Sequence, residues 1–152
     1  MKKAFPEGKA EIVERVRRVN PDATRQWGKM TVHQMICHLN DSYLLAMGER
    51  KVGDVSNFFT RSVVRMIALR APMQWPKGVQ TVAEFDQAAG RGTAPSGFEK
   101  DKAELLQIIE RFTGSPRDFN FARHPIFAEM SEWEWLRWGY LHADHHLRQF
   151  GL

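Results

Sequence analysis

Cysteine is nearly absent from this chain. Cys37 is the only one in 152 residues, so no internal disulfide framework can hold the fold together. A lone thiol fits a reducing compartment, and the cytoplasm is the expected location. Any apolar run long enough to span a bilayer is also missing, and no membrane is expected as a partner. No apolar run follows Lys2 and Lys3, so the N-terminal segment does not read as a secretory signal. Nor does one sign of charge dominate: Lys+Arg 22 against Asp+Glu 18 leaves a formal net charge of +4. The basic residues are spread along the chain, with short clusters only at Arg15, Arg17 and Arg18 and at Arg61, Arg65 and Arg70. Neither cluster is interleaved with stacking aromatics. Both read as solvated helix faces, and nucleic acid is not an expected partner.

Several catalytic signatures are missing as well. There is no glycine loop of the phosphate-binding kind and no serine-nucleophile elbow. The spacing His142-x-x-x-His146 lacks the adjacent glutamate that serves zinc proteases as general base. A di-iron site would need several carboxylates in Glu-x-x-His pairs, and the chain does not offer them.

What is present is helical periodicity over a length that suits one domain, residues 1–152, with a sizeable core. The first helix is expected from about Glu7 to Val19, with Ile12, Val13, Val16 and Val19 as its apolar stripe and Asn20-Pro21-Asp22 as its stop. The second opens on a capping box, Thr31-x-x-Gln34, and continues through Met35, Ile36, His38, Leu39, Tyr43 and Leu45 to near Gly48. About fifty residues follow, too many for a bare helix–helix loop of about 2–8 residues. They include an amphipathic stretch from Asn57 to Arg70, then irregular chain punctuated by Pro72, Pro76, Gly78, Gly90, Gly92, Pro95 and Gly97. The third main helix is expected from about Phe98 to Thr113, with Ala103, Leu106, Ile109 and Phe112 (or Leu105 and Ile108) inward. The last opens on Ser131-x-x-Glu134, a second capping box, and carries Trp135, Trp138, His142, His146 and Gln149 along one stripe. Strand alternation is weak throughout. The predicted class is all-α, a four-helix bundle with a long crossover between the second and third main helices.

Three histidines stand out. His142 and His146 are four apart, which puts their β-carbons about 6 Å from one another on one side of a helix. Both imidazoles can then reach one ion at Zn–N distances of about 2.0–2.1 Å. Their alternative role is interaction with the dipole at the helix C-terminus. His38 lies on the apolar face of the second helix, where it is either a hydrogen-bonded core histidine or a third ligand. Cys37 points about 100° away from His38 and reads as a small packed hydrophobe. His145 turns away from the pair as a supporting, rim or spare residue. His33 and His124 have no partner at ligand spacing and read as surface or loop residues.

These residues carry a resemblance. The segments from Trp27 to Leu39, from His124 to Trp135, and His142-Ala-Asp-His-His146-Leu-Arg-Gln-Phe-Gly resemble the DinB/YfiT-like metal-dependent superfamily, in a branch that is a domain of unknown function. The resemblance spans nearly the whole chain. It implies a four-helix bundle in which His38 on the second helix and His142 and His146 on the fourth hold a divalent metal, Zn or Ni foremost. It also implies relatives among thiol-dependent transferases and isomerases.

The expected function is therefore a mononuclear three-histidine site with an open position, acting on a small molecule by thiol transfer or metal-assisted hydrolysis. A low-molecular-weight thiol is a candidate cosubstrate. Trp75, Phe85, Trp135 and Trp138 are candidate pocket walls, and an apolar groove could support a homodimer. Two other readings stay open: a metal-stabilised stress or sensor protein without turnover, and a nucleic-acid-associated protein. Imidazole ligands alone do not choose among Zn, Ni, Cu and Fe.

Overall fold

A computed structural model describes residues 3–79 and 82–152. Met1 and Lys2, part of the N-terminal reading above, lie outside the described residues. Regular structure among the described residues is helical, and the one β pairing is an isolated bridge between His124 and Ala128. The helices are α1 (Lys9–Arg17), α2 (Val32–Ala46), α3 (Arg65–Arg70), α4 (Phe98–Thr113) and α5 (Glu132–Arg148). A π-helical turn, Thr60–Val64, leads into α3, and two short 3₁₀ turns, Ala83–Phe85 and Gln87–Ala89, follow it. The chain is all-α, as expected. The amphipathic part of the crossover forms α3 and the turn before it.

Both capping boxes form. The Thr31 hydroxyl accepts from Gln34 N at 3.1 Å while Gln34 Oε1 accepts from Thr31 N at 2.9 Å. At α5, Ser131 Oγ accepts from Glu134 N at 3.3 Å and Glu134 Oε2 accepts from Ser131 N at 2.9 Å. Each pair satisfies two backbone donors that the helix cannot satisfy itself and so fixes where the helix begins. For the two helices that carry the histidines, this sets the rotational phase of every later side chain.

Helix α2 packs on α4 and α5, α1 packs on α4 and α5, and α3 lies against α5. One core cluster joins them, including Phe5, Ile12, Ile36, Tyr43, Leu105, Phe112, Trp135 and Leu147. At its centre the Tyr43 hydroxyl donates to Gly139 O at 2.7 Å. Gly139 has no side chain because none fits: a β-carbon there would sit 2.7 Å from Phe112 Cε1.

Two inward faces differ from the sequence reading. On α4 the buried residues are Leu105, Ile108, Ile109 and Phe112, while Ala103 is exposed and Leu106 half-buried. The stripe starts at Asp101, whose carboxylate turns inward to accept from Ser96 N at 2.9 Å and the Ser96 hydroxyl at 3.0 Å. Helix α5 is buried on all sides, every residue from Glu134 to Leu147 included. The crossover covers the side that the other long helices leave free. Arg137 Nε donates to Leu69 O at 3.1 Å, Arg148 Nη2 donates to Trp75 O at 3.3 Å, and Arg137 Nη1 also bonds to Lys3 O.

Candidate metal centre

His38 comes from the middle of α2, and His142 and His146 come from the last two turns of α5. Where the two helices meet, their imidazoles converge. His142 Nε2 lies 3.1 Å from His38 Nε2 and 3.1 Å from His146 Nε2. The three ligand-capable atoms all lie within 4.8 Å of one another. A separation of 3.1 Å is within what two bonds of about 2.0–2.1 Å to a common ion allow.

The other ring nitrogens decide which atoms carry protons. His38 Nδ1–H donates to Phe85 O at 3.1 Å, and His146 Nδ1–H donates to Gln149 Oε1 at 2.9 Å. A neutral imidazole has one N–H, so Nε2 of both rings is a bare lone pair. His142 can donate its own proton to one of them only. With the proton on His142 Nε2 one of the two bare nitrogens is left without a donor, and with it on Nδ1 all three Nε2 atoms face one another as lone pairs, an arrangement that a cation between the rings relieves. His142 Nδ1 is buried with no hydrogen-bond partner among the described residues. Three neutral nitrogens aimed at one point, two with their tautomer set by an outer acceptor, fit a divalent ion.

Electrostatics keep the set neutral. Burial pushes the His142 imidazole well below its ordinary pKa, and the neighbouring His146 and His38 push it the same way. Burial likewise lowers His146, with His38 adding to it. His38 is lowered by burial in spite of its hydrogen bond to Phe85. None of the three needs to lose a proton at neutral pH in order to ligate.

A cavity of about 510 Å³ opens over these nitrogens, with α2 and α5 as its floor and the crossover as its far wall. Trp75, Phe85 and Trp138 line it, as read from the sequence, but Trp135 does not. Trp135 is fully buried and stacks on Phe121 at 5.7 Å, because its place one turn before Trp138 falls within the core. His145 lies outside the triad but lines the cavity, packed between Trp27 and Trp75. Burial, followed by the charge of Arg148, lowers it to about 4.

His124 differs from its reading as a surface or loop residue, whereas His33 is half-buried at the start of α2 and has a partner that the spacing did not show. His33 Nε2 lies 2.7 Å from Asp101 Oδ2, and Cys37 Sγ donates to the same oxygen at 3.7 Å. These three could in principle bind an ion, but the Asp101 carboxylate is already committed to Ser96 and Gly97 at the start of α4. Burial pushes the Cys37 thiol up to about 12, with Asp101 adding to it, so it is an inert packed group. His124 is buried, stacks on Phe127 at 4.6 Å and lines the cavity. Its Nδ1 accepts from Ile126 N and Phe127 N, both at 3.1 Å, so it holds a turn rather than a loop surface. Only the adjacent Pro125 hinted at that turn in the sequence.

A family model described as a protein of unknown function (DUF1569) matches residues 2–151. Neither a curated protein nor a solved structure matches the chain.

Proposed function

The chain belongs to the DUF1569 family, and we propose that it is a metal-dependent enzyme whose mononuclear centre is held by His38, His142 and His146. The observation that carries this reading is the pair of bare Nε2 atoms, on His38 and His146, both turned towards His142 Nε2. The similarity of the three histidine-bearing segments to the DinB/YfiT-like superfamily, with its four-helix bundle, supports the same reading.

A divalent ion bound there would supply Lewis acidity and lower the pKa of a water or thiol presented to it. The protein's own residues do the rest. Phe85 O and Gln149 Oε1 hold two of the rings in the ligating tautomer. Trp138 packs on His142 at 4.7 Å and limits its rotation. Burial keeps all three rings unprotonated. No fourth Asp, Glu, Cys or His joins the group among the described residues. A structural zinc site is closed by a fourth protein ligand, whereas this one faces a cavity, which favours turnover over a purely stabilising role. No carboxylate lines that cavity among the described residues, so any proton transfer beside the centre would fall to imidazole. The substrate is a small molecule, with thiol transfer and metal-assisted hydrolysis as the reaction classes to screen.

Elemental analysis by ICP-MS, on protein purified without a histidine tag or added metal, tests the centre. The expected result is close to one divalent ion per chain, lost in His38→Ala, His142→Ala and His146→Ala variants that keep a helical CD spectrum. Full metal content in the three variants would overturn the assignment.

A further inference from the structure

The cavity wall is notable for what it does not contain. Among the described residues lining it there is no aspartate, glutamate, lysine or arginine. Apart from histidines, the polar side chains among the described lining residues are Ser42 and Gln74, and the Ser42 hydroxyl is already donating to His38 O at 2.7 Å. The remaining wall is built by aliphatic and aromatic groups, among them Phe59, Val63, Ile67, Trp75 and Phe127. This occurs in a chain with 22 basic and 18 acidic residues, so the lack of charge is local to the cavity. A volume of about 510 Å³ is ordinary for a small-molecule site, for which about 300–1,000 Å³ is typical.

We propose that the site takes a molecule with one polar or thiol head, seated at the three histidines, and an otherwise uncharged, apolar body. The head rests on the metal reading above. The body does not, since the wall selects it with or without an ion. A buried charge needs a partner, and this wall offers none away from the floor. A peptide-like thiol such as glutathione, with two carboxylates and an ammonium group, would have to leave its charges unpaired. An alkyl or aryl thiol or alcohol would bury its chain against Trp75 and Ile67 and direct its head to the floor. This narrows the thiol expected from the sequence to an apolar one.

The experiment is a fluorescence titration of the full chain with the uncharged dye N-phenyl-1-naphthylamine, in metal-loaded and EDTA-stripped samples whose metal content is measured in parallel. The expected result is saturable binding, displaced by 1-nonanol and nonanethiol but not by glutathione at about a hundredfold higher concentration. Ile67 is 51% exposed, so Ile67→Glu puts a charge on the wall without disturbing the core. It should weaken dye binding by about tenfold or more while metal content and CD stay unchanged. Phe58, 86% exposed and outside the cavity lining, is the control, and Phe58→Ser should bind as the parent does. Absence of saturable binding would overturn the inference. So would displacement by glutathione as readily as by nonanol, or loss of binding in Phe58→Ser with retention in Ile67→Glu. The two readings fail separately. Dye binding with this selectivity in protein that takes up no ion would sink the metal centre alone, and stoichiometric metal without dye binding would sink the apolar ligand alone.

Discussion

Among the side chains, Gln149 has a role out of proportion to its chemistry. It sits one residue beyond α5 and its Oε1 accepts from His146 Nδ1, which leaves Nε2 of that ring free to ligate. Outer partners of this kind are worth about 10–100-fold in metal affinity. Gln149→Ala is therefore expected to weaken zinc binding by that factor in competition with a chromophoric chelator, while Gln149→Glu, which keeps an acceptor, retains most of it. An unchanged affinity in the alanine variant would mean that the ring is held by something else. His124 is the counterpart on the stability side. Burial lowers it to about 3, against about 6.5 in an unfolded chain. Above pH 6.5 neither state binds the proton and the group contributes nothing to pH dependence. Below 6.5 the unfolded chain takes up a proton that the fold refuses, so stability falls as pH falls, until about pH 3 where both states are protonated. The slope from this one group approaches about 1.4 kcal/mol per pH unit. Urea midpoints measured between pH 7.5 and 4.5 should fall less steeply in His124→Gln than in the parent. Equal slopes would show that His124 titrates normally in the fold.

At the scale of the helices, the meeting of α2, α4 and α5 at Gly139 sets the spacing on which the histidine cluster depends. Tyr43 from α2 and Phe112 from α4 both press on that glycine, one turn before His142. Gly139→Ala would gain helix propensity but would place a methyl group 2.7 Å from the Phe112 ring. Overpacking of this kind costs about 1–3 kcal/mol and dominates, so the variant should unfold at lower urea. It should also bind metal more weakly, because α5 must shift away from Phe112 on α4 and Tyr43 on α2, which changes its position relative to His38. A variant as stable as the parent would show that the Phe112 ring can swing aside. Both capping boxes were legible in the sequence because they are local, an oxygen and an amide three residues apart. The α4 face was harder to read. Its stripe allowed two phases, and the choice was made by Asp101 turning inward towards Ser96, a contact that hydrophobic periodicity does not encode.

Over the whole molecule, the crossover converts a cluster of histidines into an enclosed site. Phe85, on the first 3₁₀ turn, supplies the carbonyl that orients His38, and Trp75 covers His142 and His145. Without it, α5 would present one side to water, and His142 and His145, which Trp75 covers, would lie on an open surface. The sequence by itself determined what depends on near neighbours: the all-α class, the helix starts at Val32 and Glu132, and the placing of His142 and His146 on one stripe. It also marked His38 as an inward residue of α2. The tertiary structure alone decided that His38 Nε2 meets His142 Nε2 at 3.1 Å, because that distance depends on how two helices about a hundred residues apart in sequence pack. It likewise decided that His124 is buried, that Trp135 is core rather than wall, and that the described residues lining the cavity carry no Asp, Glu, Lys or Arg. Each of these is a sum over contacts from several elements, and periodicity along a single helix carries no information about which residues approach from another.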